Sequence, residues 1–232
     1  RREIKAVKKD ALIVGEIWHF AGDFLEGDEW DSIMNYQFYH AVFDLVAAGK
    51  MSASSFVGNL NFMKGNLNQA LEGYLWNFID THDTARFLHS VGQDINKQKL
   101  AAAMQLLLPG MPMIYYGDEV GMDGGSDPDC RRGMLWDERR QDKELFRYYQ
   151  TLIQVRHAYP ALTEGETVRQ HADDDKGIIC MERTWKGQYI VLIFHTQEGH
   201  VELQAPKGMK NLVSGREFTG SLGDYETAVL VK

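Results

Sequence analysis

Short apolar runs alternate with longer helical patterns through the first two thirds of this chain, and that alternation restricts its fold more than any other feature. Residues 11–15 (ALIVG) form an apolar run with no polar partner face, as expected of a strand buried on both sides in a parallel sheet. A charged, helix-like segment precedes it at residues 1–9. DSIMNY (31–36) predicts a second strand, and QFYHAVFDLVAAG (37–49) a helix stopped by Gly49. A loop region is expected next, then a third strand at YLWNFID (74–80). NKQKLAAAMQLLLPG (96–110) predicts a helix with Leu100, Ala103, Met104 and Leu107 on one face, ended by Pro109 and Gly110. PMIYYG (112–117) completes the set of strands, followed by a helix over residues 142–159. Repeated strand–helix units predict a parallel sheet with helical crossovers.

From about Thr163 the pattern changes to short strands separated by Gly, Asp and Lys turns, at residues 177–185, 188–196, 200–206, 210–214 and 227–232. They predict a compact antiparallel sandwich. The expected division is therefore residues 1–160, a strand–helix unit, and residues 161–232, an all-β unit.

A net charge of −8 argues against nucleic acid or an anionic membrane surface as the main partner. No apolar run approaches the roughly 20 residues that span a bilayer. Two cysteines, Cys130 and Cys180, lie far apart without metal-ligand spacing. They predict reduced thiols and a cytoplasmic location. MDGGSDPDCRR invites comparison with a calcium loop. Counted from Asp123, however, the sixth position is Pro128 instead of Gly and the twelfth is Met134 instead of Glu. Calcium is therefore not indicated, and neither a metal nor a cofactor is expected.

Polar clusters follow the apolar runs: Glu16 after the first, Asp80-Thr81-His82-Asp83 after the third, Asp118-Glu119 after the fourth. In βα folds the active site is built at that edge, from the loops leaving the strands. Carboxylates converging from different strands suit glycoside hydrolysis, where one group protonates the leaving oxygen and others stabilise an oxocarbenium-like transition state. Trp18 and Tyr36 suit sugar rings, whose apolar faces stack on flat aromatics. Each residue also has a plainer reading: Glu16 as a salt-bridge partner, His82 as a structural histidine, DTHDT as helix capping.

VGEIWH, SIMNY, FIDTHDTARFL, PGMPMIYYGDEVGM and DPDCRRGMLWD, in that order, resemble the α-amylase family of glycoside hydrolases, within it the neopullulanase, cyclomaltodextrinase and maltogenic amylase group. The resemblance implies the second half of a (β/α)8 TIM barrel, strands five to eight, followed by a C-terminal antiparallel β-sandwich. It implies a retaining α-glucan hydrolase acting on maltodextrins, cyclodextrins or pullulan. Glu16 would be the general acid/base and Asp83 the transition-state stabiliser. His82, Trp18, Tyr36, Asp127 and Arg131 would bind substrate. In that family the nucleophile is an aspartate on the fourth strand, which is expected to lie before this chain begins. A full barrel takes about 250 residues, more than residues 1–160 provide. The 232 residues alone are therefore expected to be inactive, and to self-associate or be completed by the missing half through their open sheet edges. Two other outcomes share the motifs: a transglycosylase or trehalose synthase-like isomerase, and a non-catalytic amylase-like scaffold.

Overall fold

A computed structural model describes residues 1–67, 69–204 and 208–232, without the side chains of residues 69 and 70. Helix α1 (Arg2–Val7) leads into β1 (Val14–Gly15), β2 (Ser32–Ile33), β3 (Trp76–Asn77) and β4 (Met111–Pro112). β1 pairs with β2 and β3 with β4, both parallel, and a parallel bridge from Met34 to Trp76 joins the pairs. The result is a sequential parallel sheet, the second half of a (β/α)8 barrel. The ladders are short, so side chains extend them. Asn35 Nδ2 donates to Asn77 Oδ1 at 2.9 Å, and Asn77 Nδ2 donates to the Pro109 carbonyl at 2.8 Å. Gly110 sits at φ 129°, and a Cβ there would run into the Asn77 amide.

The crossover helices are α2 (Tyr36–Val42), which continues into a π-helical turn at Phe43–Ala47, then α3 (Ala53–Gly65), α4 (Phe87–Ser90), α5 (Ile95–Leu107) and α6 (Lys143–Ala158). Each of the three long ones has a side-chain N-cap: Ser52 for α3, Asp94 for α5 and Asp142 for α6. α3 replaces the loop expected between residues 49 and 74. Its sequence, ASSFVGNLNFMKG, lacks a regular apolar stripe and buries only Ala53, Phe56 and Met63.

The C-terminal part forms a six-stranded antiparallel sheet in the order β10-β9-β12-β7-β6-β5. Its strands are β5 (Glu166–Asp173), β6 (Ile178–Trp185), β7 (Gln188–His195), β9 (Lys210–Asn211), β10 (Arg216–Glu217) and β12 (Thr227–Val231). A two-stranded ribbon of β8 (Val201–Glu202) and β11 (Ser221–Leu222) covers the outer face, completing the β-sandwich. The strand expected at 200–206 is thus shorter, and its residues 205 and 206 lie outside the described residues. β5 has no apolar pattern in the sequence because it is a mostly exposed edge strand.

One apolar core runs from the barrel helices into the sheet. Phe56, Leu100, Met104 and Leu152 pack in the same cluster as Ile179, Leu192, Phe194 and Val229. α5 is buried on nearly every side, which explains its run of Ala and Leu.

Candidate active site

The functional side chains stand on the loops that leave the C-terminal ends of the barrel strands. β1 delivers Glu16 and Trp18, and β2 delivers Tyr36 at the first turn of α2. β3 delivers Thr81, His82 and Asp83; the segment after β4 carries Asp127 and Arg131.

These residues form two groups. In the first, the Trp18 and Tyr36 rings stack with centroids 4.5 Å apart and planes at 20°. The Tyr36 hydroxyl donates to Glu16 Oε1 at 3.3 Å. Tyr36 is itself buried, while Glu16 and Trp18 are exposed. Burial first, then the charge of Glu16 and the hydrogen bond to it, then the charge of Asp83, push the Tyr36 phenol well above its usual range. It therefore remains a proton donor at any ordinary pH.

The second group centres on Arg131. Its Nη2 lies 3.1 Å from Asp83 Oδ1, and its Nε lies 3.0 Å from Asp127 Oδ1 and 2.9 Å from the His82 carbonyl oxygen. His82 Nε2 is 3.4 Å from Asp83 Oδ1. Tyr36 links the groups, because its phenol feels the charges of both Glu16 and Asp83. All seven residues singled out in the sequence thus stand at one rim. Arg131 pairs with two acids, Asp83 and Asp127.

Sequence reasoning missed Arg86. Its side chain is wholly buried beneath the rim and pairs with Asp118 at 3.0 Å. The guanidinium lies 4.2 Å from the Tyr115 ring centroid and 4.8 Å from that of Tyr116. The signal available was an arginine set between Ala85 and the apolar pair Phe87-Leu88, where no cation belongs without a partner.

The arrangement can do acid–base chemistry. One carboxyl group is held by a phenol and a second by an arginine, at the ends of two different strands, with a stacked aromatic pair beside the first. Among the described residues, no cluster of three or more His, Cys, Asp or Glu has the geometry to hold a metal ion.

Comparison with known proteins points the same way. The family described as "Alpha amylase, catalytic domain" matches residues 1–140. Neopullulanase 2 of Thermoactinomyces vulgaris is 41% identical over 97% of this chain, covering 40% of that protein. A cyclomaltodextrinase of Geobacillus thermopakistaniensis is 37% identical over 94% of this chain and 38% of its own length. The solved structure of a cyclomaltodextrinase superposes with a TM-score of 0.87 at 32% identity, over 99% of this chain and 42% of that one. The chain therefore spans about two fifths of the length of the curated relatives it matches.

Proposed function

Since this chain belongs to the α-amylase catalytic-domain family, we propose that it is part of a retaining α-glucan hydrolase acting on maltodextrins, cyclodextrins or pullulan. The names of its relatives, neopullulanase and cyclomaltodextrinase, support that substrate class. The observation that carries the reading is the convergence of Glu16 and Asp83 from different strand ends, with the Tyr36 phenol between them.

In the first half-reaction Glu16, protonated, gives its proton to the glycosidic oxygen as that bond breaks. An aspartate outside these 232 residues attacks the anomeric carbon and forms the glycosyl–enzyme ester. In the second half-reaction Glu16, now a carboxylate, takes a proton from water as the water attacks the anomeric carbon and the ester bond breaks. Asp83 stabilises the oxocarbenium-like charge in both steps, and Arg131 fixes its orientation. His82 and Asp127 contact sugar hydroxyls, and the exposed Trp18 indole receives a sugar face on the leaving-group side. The substrate-binding unit comprises residues 1–160 and the β-sandwich unit residues 161–232.

The structural partner best suited to the open edges of β1 and β4 is the remainder of the same barrel. The two free cysteines fit a reducing cytoplasm. No helix among the described residues is long and apolar enough to cross a membrane.

The test is hydrolysis of maltodextrin, β-cyclodextrin and pullulan by the whole protein and by its Glu16→Gln variant. Turnover by the first and near loss in the second are expected; equal rates would remove Glu16 from the mechanism. The 232 residues alone are expected to give no turnover. The half-exposed Trp18 indole also favours a second outcome, transfer of the glycosyl group to a sugar acceptor, detected as longer products when glucose is added.

A further inference from the structure

Directly beneath the rim lie three charged or ionisable side chains with almost no access to water: Asp80, Arg86 and Asp118. Arg86 draws the segment after β4 together. Its Nη1 donates to the Tyr116 carbonyl at 2.6 Å and to Asp118 Oδ1 at 3.0 Å, and its Nε donates to the Cys130 carbonyl at 3.2 Å. Asp80 Oδ2 accepts from the Phe87 N–H at 2.6 Å and so holds the start of α4.

The two remaining carboxyl oxygens, Asp80 Oδ1 and Asp118 Oδ2, are buried with no donor directed at either, and Arg86 Nη2 is buried without an acceptor. The two carboxyl groups act on each other's ionisation, Asp80 disfavouring the charged form of Asp118. Among the described residues the only ion pair made by either acid is with Arg86. The other titratable groups around the cluster are the phenols of Tyr39 from α2, Tyr149 from α6, and Tyr115 and Tyr116 from the loop after β4, with the Glu119 carboxyl and the buried Cys130 thiol from that same loop. One guanidinium thus meets two acids, all three almost fully buried. Ionising both acids would leave an uncompensated charge and two facing oxygens without a proton between them. A single proton held by the pair removes the surplus charge and gives the orphaned oxygens a hydrogen bond. Burial pushes both carboxyls above their usual range, and the charge of Asp80 pushes Asp118 up further against the pull of Arg86. The proton belongs to the pair, not to one residue.

We propose that Asp80, Arg86 and Asp118 form a buried clamp that keeps one shared proton at neutral pH and positions the catalytic rim. The connection to the rim is short. Cys130, held by Arg86, precedes Arg131, and Arg131 binds both Asp83 and the His82 carbonyl. Asp80 opens the segment that carries His82 and Asp83. All three are positioning residues. Their effect on catalysis rests on the hydrolase reading of the rim; the shared proton does not.

The experiment uses the whole protein and three readouts. Infrared difference spectra at neutral pH are expected to show a protonated-carboxyl C=O band that Asp80→Asn or Asp118→Asn alone removes. Absence of any such band overturns the shared proton. Thermal melts are read as a double-mutant cycle. Asp80→Asn keeps the Asp118–Arg86 pair and is expected to lose little Tm, Asp118→Asn breaks that pair and loses more, and the double variant, which strands the guanidinium, loses more than the sum. Strict additivity overturns the clamp. In Arg86→Lys, amide hydrogen exchange is expected to quicken in residues 81–86 and 116–131 while α5 and β7 stay protected as before. Uniform quickening, or none, overturns the positioning role. If the unsubstituted protein hydrolyses no glucan, the hydrolase reading fails, and these three readouts still decide the clamp.

Discussion

In the C-terminal sheet, β6 and β7 pair through eight consecutive residue pairs, whereas β1 and β2 in the barrel half pair through two. The sheet holds itself together by backbone ladder and apolar packing. The barrel half holds its strand ends by side chains: Asn35 to Asn77, Asn77 to Pro109, Gln105 to the Met113 carbonyl at 2.6 Å, and Arg86 to Tyr116, Asp118 and Cys130 in the segment after β4. The seven candidate site residues all lie in the second region. Short strands leave early into loops, and loops can present polar groups that a regular ladder would bury or turn outward. The cost is that the site depends on a few specific hydrogen bonds.

Substitutions in the two regions should separate activity from stability. The largest effect is expected from Glu16→Gln in the whole protein, a fall in kcat of roughly 10²–10⁴-fold with an unchanged melt. A parallel loss of Tm would blur the contrast, since Glu16 is exposed and packs little. Phe194→Ala, in the sheet, should do the opposite. It removes a fully buried ring from the core shared by both regions and should cost about 3–5 kcal/mol of stability in denaturant titration.

Asn77→Ala sharpens the claim that side chains replace ladder. It leaves the Asn35 amide and the Pro109 carbonyl without partners in the interior, at about 1–3 kcal/mol each. A change below that range would show that the strands do not need the asparagine. The smallest effect concerns Asp31 near the barrel's lower edge. Burial works against its ionised form, yet the Lys5 and Arg1 side chains and the Ile13 N–H hold its pKa at about 2. A carboxyl depressed on folding adds stability above its unfolded value and loses it as pH falls. The gain over Asp31→Asn should thus be full above about pH 4 and vanish toward pH 2, and it should be about 1 kcal/mol or less after solvent screening. Melts of both proteins across that window check it.

The order of the barrel strands was legible because each carries a compact apolar run, three of them followed by a polar cluster. Their lengths were not, since each ladder has two residues and the fourth, Met111–Pro112, shares only Pro112 with the run expected at 112–117. The candidate rim residues followed from the same feature: Glu16 directly follows the first run, and His82 and Asp83 stand in the polar cluster Asp80-Thr81-His82-Asp83 after the third. α3 was not legible: its burial is spread over three residues among Ser, Asn and Gly, so no period shows. β5 was not legible because its partners, not its side chains, make it a strand. Arg86 was hidden for a third reason. Its partners Tyr116 and Cys130 lie 30 and 44 residues away, and two of its three contacts are to backbone carbonyls, which leave no mark in sequence.

The role of Glu16 can be measured most directly by chemical rescue. The whole protein carrying Glu16→Ala would be given an α-maltosyl fluoride, whose leaving group needs no acid, together with azide. If Glu16 is the acid/base of a retaining enzyme, azide fills the vacated space, attacks the glycosyl–enzyme ester in place of activated water, and restores turnover with an α-glycosyl azide as product. No acceleration by azide, or a product of inverted configuration, would contradict it.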